Sequence, residues 1–235
     1  VILQPDEKQD FDIGHFGILG YSNVTVERNT FERIGDLRFN GAAIRIVGTN
    51  DNIIKNTFRD FTNNAIFIGS RGPETTRCYV NYNVVELREW ANQTEKYGLI
   101  DKGGIYISTS NSRAEIAYNI VRHIFGRKSK DEDPAIRGIY LDDGAHSVRV
   151  WHNVVFDIDG LAIDSRYVAG ELHNTDNDFV GNVFVGRCTI YGTSDSKARV
   201  EKNLMSWNHS YNLGNLNTAY TTNKICNVVA NGDKV

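Results

Sequence analysis

VNYNVV at 80–85, IAYNIV at 116–121 and VWHNVV at 150–155 are three copies of one hexapeptide, with an apolar first residue, an Asn in fourth place and apolar residues beyond it. Working outward, the pattern returns as IIKNTF (53–58) and VERNTF (26–31) on the N-terminal side, and as FVGNVF (179–184) and VEKNLM (200–205) on the C-terminal side. The asparagines are Asn29, Asn56, Asn83, Asn119, Asn153, Asn182 and Asn203, separated by 27, 27, 36, 34, 29 and 21 residues. A constant unit at a variable interval is the mark of a solenoid. Each coil is one unit that cannot bury its apolar face alone, and insertions become loops on its rim.

A second motif precedes each Asn: GILGY (17–21), AIRIV (43–47), AIFIG (65–69), GIYIS (104–108), GIYLD (138–142), AIDSR (162–166) and TIYGT (189–193). Small, Ile, variable, mostly apolar, variable is the period-two alternation of a strand with one buried face. This predicts two short strands per coil, with Ile18, Ile44, Ile66, Ile105, Ile139, Ile163 and Ile190 forming an interior column. The Asn between the strands suits a tight corner, because Asn tolerates left-handed backbone and its amide can bond main chain one coil away. Leucine-rich repeats would show LxxLxL units and propellers blades of about 40 residues with four strands; neither is seen. The fold class read from the sequence is therefore all-β, a right-handed parallel β-helix of about seven coils, forming a single domain over residues 1–235. Residues 1–14 and the stretch from Asn208 onward are placed to cap the open sheet edges of such a helix. The chain begins at Val1 without Met, as a mature product or a piece of a longer chain does.

Composition narrows the partners. With 26 Lys+Arg against 29 Asp+Glu and a formal net charge of -3, there is no sequence-wide basic footprint for nucleic acid or an anionic membrane. No stretch approaches the roughly 20 apolar residues that cross a bilayer. Cys78, Cys188 and Cys226 are scattered, so neither a disulfide framework nor a CxxC metal site is indicated. A chain of this length can bury a core without metal or disulfide staples. Its oligomeric state leaves no visible pattern.

Chemistry is sought on loops carried by the rigid scaffold and on the outward face of the Ile strands. Longer gaps before Gly104 and Gly138 place the natural site in the central coils. Outward positions are Leu19, Arg45, Phe67, Tyr106, Tyr140, Asp164 and Tyr191, and two residues further on Tyr21, Val47, Gly69, Ser108, Asp142, Arg166 and Thr193. Tyr106 and Tyr140 are candidates to stack on sugar rings, and Arg45, Lys102, Arg137 and Arg166 to bond hydroxyls or carboxylates; an aromatic ladder also stabilises a sheet face without any ligand. Asp142 and Asp164 face outward on adjacent coils, displaced by two residues. With strands ~4.8 Å apart and ~3.3 Å of rise per residue, their backbones lie roughly 8 Å apart. Carboxyl pairs about 5 to 9.5 Å apart serve retaining and inverting glycosidases, one as acid, the other as nucleophile or base. Asp143 is a further candidate beside Asp142, although Asp-Asp-Gly is also ordinary turn chemistry. Asp101 precedes Gly104 and joins Asp142 only if the chain bends before Gly103. In a lyase, Lys102 or Arg137 would instead abstract a sugar proton, with aspartates holding a cation such as calcium. His123, His146 and His152 show no metal-ligand spacing, and no metal site is expected from them.

The repeats over about residues 14–205 resemble the pectate-lyase-like superfamily of right-handed β-helices. More narrowly, Asp101-Lys-Gly-Gly-Ile-Tyr106, followed by Gly138-Ile-Tyr-Leu-Asp-Asp-Gly144 and Val148-Arg-Val-Trp-His-Asn-Val154, is similar to β-helix glycoside hydrolases of the family 141 type. There, an Asp-x-Gly-Ala-Ile-Tyr segment precedes a Gly-Ile-Tyr-Leu-Asp-Asp-Gly segment. The resemblance implies a polysaccharide-acting enzyme with Asp101 and Asp142 among its acidic site residues. Gly104 stands where Ala is usual, and the chain is much shorter than such enzymes. The function expected is hydrolysis of glycosidic bonds in a polysaccharide by a secreted or periplasmic protein that needs no cofactor. The alternatives are a metal-assisted polysaccharide lyase and a carbohydrate-binding or adhesive β-helix without catalysis.

Overall fold

The computed structural model describes residues 16–34, 42–69, 77–88, 102–108, 113–125, 136–142, 144–165, 176–190, 199–206, 211–212 and 224–226. Among them every regular element is a β-strand, and the 22 strands, numbered here in chain order, pair in parallel. Each coil contributes three strands rather than the two expected. In the central coil these are β9 (Lys102–Ser108), β10 (Glu115–Ala117) and β11 (Ile120–Ile124). The hexapeptide is where the second strand turns into the third, so one motif hides two short strands.

Three ribbons result. The first comprises β1 (Phe16–Ser22), the start of β4 (Ala42–Ile54), β6 (Asn64–Gly69), β9, β12 (Ile136–Asp142), β15 (Leu161–Ser165), β18 (Arg187–Ile190) and β21 (Tyr211–Asn212). The second comprises β2 (Thr25–Glu27), the end of β4, β7 (Arg77–Asn81), β10, β13 (Arg149–Trp151), β16 (Asp178–Val180) and β19 (Arg199–Glu201). The third runs through β3 (Thr30–Ile34), β5 (Thr57–Phe61), β8 (Val84–Glu86), β11, β14 (Val154–Ile158), β17 (Val183–Phe184), β20 (Leu204–Ser206) and β22 (Lys224–Cys226). Because β4 passes through a corner without a break, the first two ribbons form one 14-stranded sheet beside an eight-stranded third.

The corner after the second ribbon differs from expectation in one respect. The left-handed residue is not the Asn but the one before it: Arg28, Lys55, Tyr82, Tyr118, His152 and Lys202 have φ between 55° and 60°, and Gly181 has 68°. That reversal turns the following Asn inward, where its amide serves the main chain. Asn119 shows the pattern. Its Oδ1 accepts from the Asn83 backbone N (2.9 Å) and side-chain Nδ2 (3.0 Å), and its own Nδ2 donates to the Val80 carbonyl (2.7 Å) and to Asn153 Oδ1 (2.9 Å). The unit repeats at each step from Asn29 to Asn203, a ladder in which each Asn satisfies donors and acceptors of the coil before it. Corner groups that no strand could pair are thereby paired.

Inside, Ile44, Ile66, Ile105, Ile139 and Ile163 stand in register and are fully buried. Val80, Ile116 and Val150 on the second ribbon and Val85, Val121 and Val155 on the third complete the core. Each such side chain is worth about 1.5 to 3 kcal/mol of burial. The end coils depart from the expected column. Ile18 pairs with Ile46 rather than Ile44, and Ile163 pairs with Cys188 rather than Ile190. Both pairings contain a register irregularity, which motif alignment cannot see.

The outer face of the third ribbon carries Glu32, Arg59, Glu86 and Arg122 in one register column of alternating sign. Arg59 and Arg122 reach the buried Glu86 carboxylate at 3.0 and 2.7 Å. Burial alone would raise the Glu86 pKa, but the hydrogen bonds from Arg122 and Arg59 outweigh it and hold the carboxyl below the usual range. A slip by one coil would set like charge against like, so this column also fixes register.

At the corner after the first ribbon, Asp51 and Asn177 occupy equivalent places. Asn177 Oδ1 accepts from Val148 N (2.9 Å) and its Nδ2 donates to the Ala145 carbonyl (2.9 Å). Asp51 Oδ1 accepts from Val24 N in the same way (2.9 Å), but its buried Oδ2 has no partner. Burial raises the Asp51 pKa from the ordinary 3.8, only partly opposed by the Val24 N–H. A raised folded-state pKa means that Asp51 supports the fold at low pH and loses that support as pH rises through its folded value. Asp51→Asn should therefore raise the thermal unfolding midpoint at pH 7, with the advantage shrinking as pH falls toward the ordinary value. A neutral-pH midpoint equal to or below that of the parent would show that the carboxyl finds compensation.

Candidate active site on the first ribbon

The outward face of the first ribbon has two adjacent columns in the central coils. One is Arg45, Phe67, Tyr106, Tyr140 and Asp164, in register across β4, β6, β9, β12 and β15. The other contains Gly69, Ser108 and Asp142. This is the register expected for the middle of the molecule. At the ends it is Gly17, not Leu19, that pairs with Arg45, and Thr189 that pairs with Asp164, while Tyr191 lies outside the described residues.

These side chains form one connected series. The Arg45 guanidinium lies 5.0 Å from the Phe67 ring centre, and Phe67 meets Tyr106 edge-on at 5.0 Å and 76°. Tyr106 and Tyr140 stack nearly parallel at 4.7 Å and 8°, and the Arg137 guanidinium covers Tyr140 at 4.2 Å. Arg137 Nε donates to Asp164 Oδ2 at 3.0 Å, with both side chains 1 % exposed. From the middle of the series the Tyr106 hydroxyl donates to Asp142 Oδ2 at 3.0 Å, and Asp142 is half-buried.

The arrangement decides which groups can meet a ligand. Tyr140 is 1 % and Tyr106 8 % exposed, and their faces are taken up by each other and by Arg137, so neither ring offers a face to a sugar. Asp164 sits on the coil next to Asp142, two residues out of step, yet its carboxylate is held by Arg137 and shielded from solvent. Removing one partner of such a buried pair strands the other charge, at a cost of about 3 to 5 kcal/mol. Among the described residues, Asp142 is the carboxylate of this face that keeps both a fixed hydrogen bond and access to solvent.

Lys102 is also buried, and its Nζ donates to the Phe125 carbonyl at 3.0 Å, at the corner where β11 ends. Burial pushes its pKa down to about 7, against the pull of Asp159. Asp101, Asp143 and Arg166 lie outside the described residues. Among the described residues no group of three or more His, Cys, Asp or Glu side chains is placed to hold a metal ion. Of the histidines, His123 Nδ1 meets Asp157 Oδ2 on the third ribbon, His146 Nδ1 lies 3.2 Å from Ser147 Oγ, and His152 stands at the Asn corner.

The glycines of the two site strands have a packing reason. An ideal Cβ on Gly104 would lie 2.7 Å from Val121 Cγ1 and 2.8 Å from the Gly138 carbonyl oxygen. On Gly138 it would lie 2.5 Å from Val155 Cγ1 and 2.6 Å from the Ala162 carbonyl oxygen. A backbone oxygen cannot step aside as a flexible side chain can, so Ala does not fit at either position without moving a strand. Gly138→Ala should destabilise the protein by about 1 to 3 kcal/mol, the usual cost of overpacking a close-packed core. A chemical-denaturation midpoint within error of the parent would show that the coils can spread.

The profile of the family described as the right-handed beta helix region matches residues 14–205, and the chain belongs to that family. No protein of curated function and no solved structure is significantly similar to it. The family match agrees with the observed architecture and carries no particular activity with it.

Another set of exposed residues escaped the sequence reading. The corner position before each Asn holds Tyr82, Tyr118 and His152 in three successive coils, with Trp151 beside them. Their signal was the third letter of VNYNVV, IAYNIV and VWHNVV, which reads as variable until the structure shows that it points outward.

Proposed function

We propose that this β-helix is a carbohydrate-active enzyme that hydrolyses glycosidic bonds, with Asp142 as the carboxylate that handles the proton or attacks the sugar. The observation that carries this reading is the Tyr106–Asp142 hydrogen bond, which ties a solvent-accessible carboxylate to a series whose Tyr106, Tyr140, Arg137 and Asp164 are buried. A charge-assisted hydrogen bond from a locked phenol fixes the orientation of a carboxylate, as positioned acid–base and nucleophilic catalysis requires. The rigid stack beneath it keeps that geometry without a cofactor. The second carboxylate of a glycosidase pair would come from Asp143 or Asp101, or from Asp164 if the ion pair with Arg137 opens on binding. Arg45, half-buried on the same face, is the group placed to bond sugar hydroxyls. Such an enzyme would act on a polysaccharide or oligosaccharide and work in a secreted or periplasmic setting.

The test is incubation with a panel of neutral and acidic polysaccharides, followed by mass spectrometry of the products. New saturated reducing ends are expected. Unsaturated sugar ends absorbing in the ultraviolet would assign a lyase instead, and no product from any substrate would leave a binding role.

A further inference from the structure

The corner that bears the Asn ladder on its inside bears an exposed aromatic strip on its outside. Tyr82 and Tyr118 stack at 4.8 Å and 3°, and Tyr118 stacks on His152 at 5.2 Å and 23°. Trp151 closes the side of the strip, meeting Tyr118 at 5.0 Å and His152 at 5.1 Å, with the Arg149 guanidinium 5.5 Å from its ring. His152 ends the strip by lying over Gly181, where an added Cβ would come within 2.7 Å of the imidazole. At the opposite end Tyr82 is 54 % exposed, and Tyr118 is 39 % exposed.

The fold does not require aromatics here. The same left-handed corner accepts Arg28, Lys55 and Lys202 in other coils. Stacking stabilises each pair only modestly, and large apolar surface is left in water. The shape of the strip indicates what covers it. Its three rings span about 10 Å, two strand spacings along the helix axis, and it is essentially one side chain wide. That is far less than the on the order of 800 Å² per partner that a stable protein interface buries, and it suits a linear ligand lying along the axis. The rim is polar: Asn81 and Glu115 bond each other at 3.3 Å beside it, and Arg149 lies 3.6 Å from Glu115. Phenol, imidazole and indole rings bordered by amide, carboxylate and guanidinium groups match a chain of sugar rings, with apolar C–H patches and hydroxyls on one molecule.

We propose that Tyr82, Tyr118, Trp151 and His152 form a binding strip for a linear glycan, on a different corner from Asp142. The ligand class is shared with the hydrolase reading, but the strip needs no catalysis and binds whether or not that reading holds. Tyr82 presents the terminal ring face and Trp151 the lateral one, and the chain runs along the axis across the central coils.

The experiment is affinity electrophoresis of the whole protein in gels containing xylan, a mixed-linkage β-glucan or polygalacturonate. It compares the parent with Tyr82→Lys/Tyr118→Lys and with Asp142→Asn. Lys already occupies this corner at positions 55 and 202, so the double variant should keep its circular dichroism spectrum and unfolding midpoint. Retardation of the parent by at least one glycan is expected, with tenfold or greater weakening in the double variant and none in Asp142→Asn. Equal retardation of the double variant and the parent would overturn the proposal, as would a parent retarded by none of the three. So would a concentration-dependent dimer that the double variant abolishes in the absence of any glycan binding. Loss of turnover in Asp142→Asn with glycan retardation intact would separate the two sites, and absence of turnover in the parent bears on the hydrolase reading alone.

Discussion

Asn119→Ala is expected to cost roughly 2 to 4 kcal/mol of stability, a large effect for a change that removes only a small polar group. Asn119 accepts from the Asn83 N–H and donates to the Val80 carbonyl, both within the wall of the helix. Truncation leaves each group in a space without water, and a buried orphan costs about 1 to 3 kcal/mol. The ladder makes the loss larger at the centre than at the end, because Asn119 also binds Asn83 Nδ2 and Asn153 Oδ1. Asn29, the exposed first rung, accepts no such bond from a preceding rung among the described residues, so Asn29→Ala should cost clearly less. The check is a pair of urea denaturation curves. Equal midpoints for the two variants would show that the column is a consequence of the coil and not one of its supports. Asn119→Asp refines the result: it keeps the acceptor but turns a carboxylate oxygen toward the Val80 carbonyl and Asn153 Oδ1, so at neutral pH it should cost at least as much as Ala, with part of the loss recovered as pH falls.

The fold could be read from sequence because its strongest constraint is chemical and repeated. The amide of each Asn needs a donor and an acceptor one coil away, so the residue recurs wherever a coil passes the corner, whatever loop intervenes. The Ile column was legible for the same reason, since inward positions have few acceptable occupants. The missing third strand is explained by how little of each strand the hexapeptide holds: β10, β13, β16 and β19 have three residues and β17 two, too few to show a period. The left-handed residue was misassigned because, in this corner, the structure asks for an inward amide at one position and a reversed backbone at the previous one. Five residue types, Arg, Lys, Tyr, His and Gly, fill the latter across the seven coils, so no residue preference betrays it.

The site was less legible, and its residues show why. Alternation placed Tyr106, Tyr140, Asp142 and Asp164 on the outward face, and that is where the strands put them. Outward is not exposed, however. Tyr140, Arg137 and Asp164 point away from the core and are nevertheless buried, because each side chain on that face is covered by others. A pattern in one strand cannot reveal that Arg137, three residues before Tyr140, folds over its ring to reach an aspartate in the next coil. The Tyr106 hydroxyl bond to Asp142 is likewise a diagonal contact between neighbouring coils, set by the length of a tyrosine and not by any spacing in the chain.

These distinctions give Asp142 and Asp164 opposite signatures. For Asp142→Asn, turnover should fall by a factor of ~10² or more, the scale of positioned acid–base catalysis, while the unfolding midpoint hardly moves. The amide oxygen can still accept from Tyr106, and the residue is half-exposed, so no buried group loses its partner. Asp164→Asn should reverse the pattern. Arg137, at 1 % exposure, loses its counter-charge, and stability should drop by about 3 to 5 kcal/mol. Tyr106→Phe separates position from chemistry: it retains the ring stack on Tyr140 but removes the donor to Asp142. A hydrogen bond to a charged group is worth about 1.5 to 3 kcal/mol, so turnover should fall roughly tenfold or more with the fold intact. Kinetics and unfolding curves on the three variants, with a polysaccharide the parent cleaves, decide the matter. Full activity in Asp142→Asn would remove Asp142 from the chemistry and shift the search to Asp101 and Asp143. Full stability in Asp164→Asn would mean that Arg137 finds another partner, which frees Asp164 to serve as the second carboxylate.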